Sequence, residues 1–347
     1  MESTLIAVDT AKLVFEVAES ARGKVVRRLR LNRAAFADYL AQHEPAEFVL
    51  EACGGAHHWA RLMQAYGHRV RLLPVPYVCV YRRRNKTDRV DCLAMLEAAK
   101  NSEILPVPVK SPEHQAIQGL HRCRSAWMET RTARINTLRG LLREFGLILP
   151  VGAGAALLRI PELLEHEALP PLLAPTLRQL FDEIHELEQR IDAVERQLEA
   201  VSRQNPVISH LRQISGIGLL TATALYASAN DASHFRDGRH LASWLGLTPR
   251  EHSSGSIRKL GGISKRGDRY VRMLMVHGAR SVLLRAGQMQ RAGHDLNALQ
   301  RWALALKDRT NHNKATCALA NKIARIAWAT WRHGTVFDPN QAAAAAA

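Results

Sequence analysis

Four acidic residues in the first hundred positions have the types and spacing to hold a metal ion. Asp9 ends an apolar run, Glu51 ends a second one, and Asp88 and Asp91 open a helix-like segment. A carboxylate at the end of a buried strand is costly unless a partner compensates its charge. Divalent cations such as Mg²⁺ supply that compensation, because hard cations take oxygen ligands. The four acids therefore predict a metal site.

The spacing of the acids fits phosphoryl transfer with two metal ions. Asp88 and Asp91 are three positions apart and share one face of a helix, whereas Asp9 and Glu51 end neighbouring strands of one expected sheet. Together they would hold two Mg²⁺ ions about 3.5–4 Å apart, one activating the attacking oxygen and the other stabilising the leaving oxygen. Any one of these acids, taken alone, also fits a solvated surface residue or a helix cap.

A basic segment directly precedes the second pair of acids. Arg89 and four residues that we predict to contact nucleic acid supply its positive charge: Arg82, Arg83, Arg84 and Lys86. Cations beside carboxylates keep the carboxylates ionised, and they also bind phosphates. A solvated basic loop is the alternative interpretation.

A Gly-x-Gly turn stands near the middle of the chain. Gly216 and Gly218 precede an apolar helix over residues 219–227. Such a turn presents backbone N–H groups to a phosphate at the helix N-terminus, as in a helix-hairpin-helix contact with DNA. A tight turn between two packed helices explains the same residues equally well.

A third group of residues combines serines with positive charge. Ser253, Ser254 and Ser256 lie in a segment, residues 250–272, that holds seven Lys or Arg and two acids. Four of its cations are predicted to bind nucleic acid: Arg258, Lys259, Lys265 and Arg266. From the residues alone, a serine here is a nucleophile, a hydrogen-bond donor to phosphate or a turn former.

The elements expected to position the acids form a mixed α/β pattern. Strands are predicted at residues 3–9, 13–20, 24–31, 47–52 and 70–75, with a helix over 33–43 that Asn32 caps, a second helix after Gly55 and a final one from Asp88. Three strands, a helix, a strand, a helix, a strand and a helix is the order of a ribonuclease-H-like domain.

From about Ser111 the chain reads as helical. Residues 113–144 and 176–204 form two long helices separated by a break at 146–161, and Asn205-Pro206 marks a boundary before further helices and loops. The second long helix carries apolar residues at heptad spacing: Leu177, Leu180, Ile184, Leu187, Ile191, Val194 and Leu198. Packing within the chain and contact with a second copy both explain this seam, and the two can coexist.

Composition sets the class of partner. The 347 residues suggest two or three domains, and the net charge of +16 favours a phosphate-rich partner over a membrane surface. No apolar run approaches the roughly 18 residues of a membrane span. Five widely spaced cysteines without a C-x-x-C motif argue against disulfides and zinc ribbons and predict a reducing cytoplasm.

Six motifs together resemble one family. In the first half they cover residues 6–12, 51–57 and 85–91, and in the second half 244–250, 253–255 and 262–268. The pattern is similar to the DEDD-type insertion-sequence transposases of the "IS-one-ten" group, which includes Piv-like DNA invertases. The likeness extends over roughly residues 4–335.

The resemblance implies a fold that is α/β plus all-α. It implies a ribonuclease-H-like (RuvC-like) nuclease domain at 1–108, a helical coiled-coil region at 109–205 and a helical transposase domain at 206–335. Residues 336–347, which end in six alanines, form a disordered tail with no expected function.

The resemblance also implies an activity. It is RNA-guided DNA transposition, in which Asp9, Glu51, Asp88 and Asp91 bind Mg²⁺ and Ser254 forms a covalent phosphoserine link to DNA. The implied partners are double-stranded donor and target DNA, a structured noncoding guide RNA and further copies of the chain in a homodimer or homotetramer. The implied location is the bacterial cytoplasm, at the nucleoid when active.

Three rival functions remain at this point. A Holliday-junction endonuclease would use the acids and water without Ser254. An actin-like ATPase or sugar kinase usually has glycine two residues after its first aspartate, where this chain has Ala11. A non-catalytic DNA-binding protein suits the basic charge but leaves acids at strand ends unexplained.

Overall fold

The computed structural model describes residues 4–82 and 87–338 and divides into two units. Unit 1 ends at Ser111, and unit 2 begins at Pro112. The predictions made for Arg83, Arg84 and Lys86, and for most of the tail, lie outside the described residues. Within the described part of the chain, no helix is both long enough and apolar enough to cross a membrane.

Unit 1 is built on a mixed sheet of five strands in the order β3-β2-β1-β4-β5. The strands are β1 (Leu5–Thr10), β2 (Val14–Ala21), β3 (Lys24–Asn32), β4 (Glu47–Glu51) and β5 (Arg69–Leu73). β1, β2 and β3 pair antiparallel in sequence, whereas β4 runs parallel to both β1 and β5. This sheet is compatible with the predicted ribonuclease-H-like domain.

Helices cover both faces of the sheet, because successive residues of a strand point to opposite sides. They are α1 (Arg33–Gln42), α2 (Ala56–Ala65), the short α3 (Val75–Val78) and α4 (Asp88–Ala98). Ile6 packs on one face with Phe36 of α1, and Ala7 packs on the other face with Met95 of α4. As predicted, Asn32 caps α1, and its side-chain oxygen accepts a 2.9 Å hydrogen bond from the backbone N–H of Ala35.

Unit 2 is helical, with one small hairpin. Its elements are α5 (Pro112–Glu144), α6 (Ala153–Leu164), α7 (Ala174–Gln204), α8 (Pro206–Arg212), α9 (Leu219–Ala229), α10 (Gly238–Trp244), β6 (Pro249–Glu251), β7 (Leu260–Ile263), α11 (Arg269–Arg291), α12 (Ala298–Arg309) and α13 (His312–His333). Two features were not expected: α6 occupies part of the predicted break despite Pro161, and two short antiparallel strands flank the serines of the basic segment.

The long helices α5 and α7 pack against each other along the heptad seam. Leu177 and Ile184 of α7 share a core with Leu138 of α5, and Leu198 packs with Ile117 nearer the other end. Three ion pairs join the helices in antiparallel order: Arg124 with Glu195, Arg131 with Glu188 and Arg134 with Glu183. Packing within the chain therefore accounts for the seam.

The remaining helices of unit 2 surround α13. Leu319, Ile323 and Ala327 of α13 are fully buried in one core with Leu241 of α10 and Met275 of α11. These positions are three or four residues apart, so they form one apolar face of α13. The hairpin β6–β7 stands on this helical core.

Candidate active site

The first two acids lie side by side at the end of the sheet. The last paired residues of parallel strands β1 and β4 are Val8 and Leu50, and the next residues are Asp9 and Glu51. Both side chains are half-buried. The expectation that these two acids come from adjacent strand ends is therefore met by the register of the sheet.

Arg82 connects one of these acids to the helix that follows. Its Nη2 lies 2.8 Å from Glu51 Oε1, and its Nε lies 2.5 Å from Asp91 Oδ1. All three side chains are largely buried, with exposed fractions of 18%, 13% and 5% for Arg82, Glu51 and Asp91. Burial acts to lower the pKa of Arg82, but the charges of Asp91 and then Glu51 outweigh it and raise that pKa.

The two acids of α4 have different surroundings. Thr87 caps the helix, and its Oγ1 accepts a 3.3 Å hydrogen bond from the backbone N–H of Val90. Asp88 follows the cap in the first turn and is exposed, whereas Asp91 is only 3% exposed. The helical spacing thus gives them a common side of α4 but not a common environment.

The surroundings of the acids indicate whether they could hold a metal ion. Among the described residues, no three His, Cys, Asp or Glu side chains are grouped so that they could hold a metal. The buried Asp91 Oδ1 accepts no well-aligned hydrogen bond there, so its contact with Arg82 is an ion pair. A buried carboxylate oxygen of this kind suits a hard cation. Glu51 and Asp91 are therefore oxygen donors that share one cation here, the guanidinium of Arg82, and Asp9 lies next to Glu51.

Two cysteines near the acids have structural contacts. The Cys53 Sγ lies 3.3 Å from the Thr10 Oγ1, which joins the segments that follow the two strand ends. Cys92 is 2% exposed and donates to the backbone oxygen of Glu16 at 3.3 Å. Burial above all raises the pKa of Cys92 to about 12. Burial therefore favours the neutral thiol of Cys92, which argues against a role as a nucleophile.

Replacing Arg82 by glutamine should lower the stability of the protein and increase the effect of Mg²⁺ on its melting temperature. Without the guanidinium, the nearby carboxylates lose their cation, and we expect the metal-free protein to lose about 1–3 kcal/mol of stability. Mg²⁺ should then raise the melting temperature more in the variant than in the wild type, because metal binding stabilises the folded state. Calorimetry with and without Mg²⁺ measures both effects.

The matched control for this variant is Arg89→Gln. Arg89 is exposed and lies seven residues further along the same part of the chain. Its loss removes the same charge without touching Glu51 or Asp91. Equal melting temperatures for the two variants would contradict the role of Arg82.

The predicted nucleophile lies at the tip of the hairpin of unit 2. Ser254 and Ile257 exchange backbone hydrogen bonds of 3.2 and 3.1 Å, which leaves Gly255 and Ser256 as a two-residue turn. Gly255 has φ of +57°, a conformation that favours glycine. Every residue from Glu251 to Leu260 is exposed. The turn therefore presents Ser254 to solvent on a defined backbone.

The neighbouring serine is engaged within the hairpin. Ser253 Oγ donates to Glu251 Oε1 at 2.6 Å and accepts from the backbone N–H of Lys259 at 3.2 Å. The first of these bonds is the main cause that lowers the pKa of Glu251, and Arg258 adds to it. Among the described residues, the Ser254 hydroxyl has no such side-chain hydrogen bond. The Ser253 hydroxyl is thus used in hydrogen bonds within the hairpin, and among the described residues the Ser254 hydroxyl is not.

The motifs at residues 244–250 and 262–268 contact each other at the base of this hairpin. Ser264 N–H donates to Thr248 O at 2.7 Å, and Lys265 N–H donates to Gly246 O at 3.1 Å. Gly267 lies so close to the segment before β6 that a Cβ built on it would be 1.7 Å from Trp244 O. The residues around 246 and 267 therefore fix where the serine hairpin leaves the helical core.

The Gly-x-Gly turn is used for helix packing. Gly216 has φ of +92°, and a Cβ built on Gly278 of α11 would lie 1.9 Å from Gly216 O. This contact favours the tight-turn interpretation for Gly216. Gly218 is exposed at the N-cap of α9, where the phosphate contact was predicted.

The structure brings together some predicted site residues and adds others. Arg258, Lys259, Lys265 and Arg266 are all exposed on or beside the hairpin, and Arg82 pairs with acids. Sequence reasoning missed the bridge made by Arg82 and the bond from Ser253 to Glu251. The second had a weak signal, since a serine two residues after a glutamate is within reach of its carboxylate; the first had none.

Comparisons with known proteins match both halves of the chain. A transposase family model of the DEDD type matches residues 6–146, and the model described as the transposase IS116/IS110/IS902 family matches residues 208–295. The boundary between the two matches lies within unit 2.

Two curated transposases match over most of their length, and a pilin gene-inverting protein matches over a shorter part. A probable family 20 transposase of Pseudomonas aeruginosa is 43% identical over 98% of this chain and 100% of the relative. The transposase for insertion sequence element IS1111A of Coxiella burnetii is 37% identical over 94% of this chain and 88% of its own. A pilin gene-inverting protein of Moraxella bovis is 30% identical over 38% of this chain and 40% of its own.

Proposed function

The chain belongs to the IS116/IS110/IS902 family of transposases, and we propose that it breaks and rejoins DNA through a covalent bond between DNA and Ser254. Family membership makes it an enzyme that acts on DNA. The observation that carries the proposed chemistry is the placement of Ser254 at an exposed, two-residue turn in a basic hairpin with a fixed base.

The proposed step is a transfer of a phosphoryl group. Ser254 Oγ attacks the phosphorus of a DNA phosphodiester, forming the Oγ–P bond and breaking the bond from phosphorus to one deoxyribose oxygen. The serine proton passes to a base, and the departing deoxyribose oxygen takes up a proton. Attack by the free hydroxyl of another DNA end reverses these changes, restores Ser254 and completes strand exchange. Serine needs activation for such an attack, because its hydroxyl is a weak nucleophile.

We propose Asp9, Glu51, Asp88 and Asp91 as ligands for Mg²⁺, with two ions in the active site. The ions would neutralise charge on the phosphate and lower the pKa of the attacking hydroxyl. Support comes from the adjacent strand ends of Asp9 and Glu51 and from the buried Asp91 Oδ1. Arg82 holds Glu51 and Asp91 in place through its ion pairs.

The proposed partners are donor and target DNA, a structured noncoding RNA that selects them, and further copies of the chain. The net charge of +16 and the exposed cations of the hairpin support binding to nucleic acid. The basis for proposing RNA guidance and assembly into a dimer or tetramer is the family resemblance. Sequencing the nucleic acid that co-purifies with the protein tests guidance: one structured RNA species is expected, and random cellular RNA would contradict it.

Replacing Asp9 by alanine tests the metal role. We expect Mg²⁺-dependent covalent adducts with DNA from the protein's own element to fall about a hundredfold or more, because phosphate charge is no longer neutralised. Denaturing gels of labelled DNA after incubation with Mg²⁺ or a chelator measure the adducts. Asp38→Ala, an exposed acid of α1 in the same unit, is the control. Normal Mg²⁺-dependent adducts from Asp9→Ala would count against metal catalysis by these acids.

A further inference from the structure

A cavity of about 900 Å³ lies in unit 2 beside the serine hairpin. One wall is made by residues of β6 and β7, including Arg250 and Leu260, and the opposite wall by α13, with Trp302 of α12 beside it. The cavity is within the size range of sites for small organic ligands. The roles given above to Ser254 and to the four acids leave this cavity unexplained.

The charged residues that line the cavity are all positive. Among the lining residues that the structure describes, five are Lys or Arg and none is Asp or Glu: Arg250, Lys265, Lys314, Lys322 and Arg325. Cations from three segments of the chain thus converge on one space. Such a concentration of one sign attracts anions.

Lys322 is the most informative of these cations. It is 5% exposed, and its Nζ lies 4.6 Å from the centre of the Trp302 ring. Burial first, and the charge of Arg325 second, lower the pKa of Lys322. Lys322 therefore places a largely buried positive charge next to that of Arg325 in the wall of the cavity.

Apolar side chains also line the cavity, beside the amides of Asn313 and Asn321. Leu247, Leu260, Ile263 and the indole of Trp302 contribute to the apolar part. A simple inorganic anion makes no favourable contact with an apolar surface, whereas a nucleotide combines a phosphate with a flat base that can pack on one. The cavity therefore matches a phosphate joined to a base better than it matches phosphate alone.

We propose that this cavity binds one unpaired nucleotide of the DNA strand on which Ser254 acts. A base that is paired and stacked in a duplex has both of its faces covered, so the nucleotide must leave the helix before its base can contact the cavity wall. Arg250 in the cavity wall and Ser254 are four residues apart on one arm of the hairpin, which spans roughly 13 Å or about four stacked nucleotides. Seating this nucleotide would hold the strand in register at the serine.

The proposal rests on the proposed function only for the identity of the strand. Binding to the cavity needs neither Ser254 nor metal. Its test is therefore a binding measurement, and it can fail or succeed independently of covalent chemistry.

The test measures binding of the full-length protein to short single-stranded DNA by fluorescence anisotropy in a chelator. Lys314→Gln and Lys322→Met each remove one cation of the cavity, and Arg332→Gln removes one from the exposed end of the same helix. We expect each cavity variant to bind about tenfold more weakly than the control. The dependence of log Kd on log salt should fall by about one.

Two further arms identify the ligand. A single abasic position, moved along the oligonucleotide, should weaken binding to the wild type roughly tenfold at one place and have little effect on Lys322→Met. A fully paired duplex of the same sequence should not distinguish Lys314→Gln from the control. If Lys322→Met does not fold, Lys314→Gln takes its place in the abasic comparison.

The proposal is wrong if the cavity variants bind single-stranded DNA as tightly as Arg332→Gln does. It is also wrong if the cavity variants lose as much affinity for duplex DNA as for single-stranded DNA, or if they lose affinity for single-stranded RNA alone. Adducts that persist in Ser254→Ala would instead overturn the nucleophile, and they would leave the cavity's binding result unchanged.

Discussion

Replacing Ser254 by alanine should abolish covalent protein–DNA adducts, with a fall of about a thousandfold or more. The loss is expected because the proposed bond to phosphorus forms at the Ser254 oxygen, which the exposed turn presents without a side-chain partner among the described residues. Binding to nucleic acid should be unchanged, since the substitution removes one oxygen and no charge. Adducts are measured by denaturing gel electrophoresis, and binding is measured on the same samples.

Ser256→Ala and Ser253→Ala are the matched controls. Ser256 shares the turn, and its variant should form adducts normally. Ser253→Ala removes the hydrogen bonds to Glu251 and Lys259, so the hairpin should lose order while retaining measurable adduct formation. If Ser254→Ala still formed adducts, the role would move to one of these neighbours. If it cut DNA normally without adducts, the chain would be a water-dependent endonuclease.

Replacing Gly267 by alanine should destabilise unit 2 by about 3 kcal/mol or more, because an added Cβ would lie 1.7 Å from Trp244 O. Backbone atoms cannot move aside as a flexible side chain can, so the segments around 246 and 267 must separate. Urea unfolding monitored by circular dichroism measures the change. We also expect weaker adduct formation, because these segments hold the hairpin of Ser254.

The control for this substitution is Gly262→Ala. Gly262 lies in β7 of the same hairpin, and a Cβ built there meets no atom within 4 Å. Its variant should therefore unfold at nearly the wild-type urea concentration. Equal stability of the two alanine variants would mean that the backbone contact at Gly267 is not a constraint on the fold.

The sequence predicted those parts of the molecule that depend on local pattern. The strands that end in Asp9 and Glu51 follow from their apolar runs, and the register of β1 and β4 brings the acids together. The heptad seam of α7 predicted a packed helix, and α5 is its partner. The cap at Asn32 follows from its short polar side chain before a helical run.

Features that depend on tertiary contacts could not be read from the sequence. The strands β6 and β7 are short and largely exposed, and β7 contains two glycines, so they lack the alternation that marks a strand. Helix α6 forms in a predicted break because its apolar residues join the core shared by α5 and α7. The pairing of Arg82 with two acids depends on the path of the chain after β5.

The antiparallel pair of α5 and α7 fixes a length within unit 2. The 33 residues of α5 span about 50 Å at 1.5 Å per residue, which equals the length of roughly 15 base pairs of DNA. Because the apolar seam and the ion pairs run along this length, shortening α5 alone would leave part of α7 without a partner. A change of length that keeps this seam in register must therefore alter both helices together, and seven residues in each would preserve the heptad spacing. Seven residues correspond to roughly 10 Å of helix.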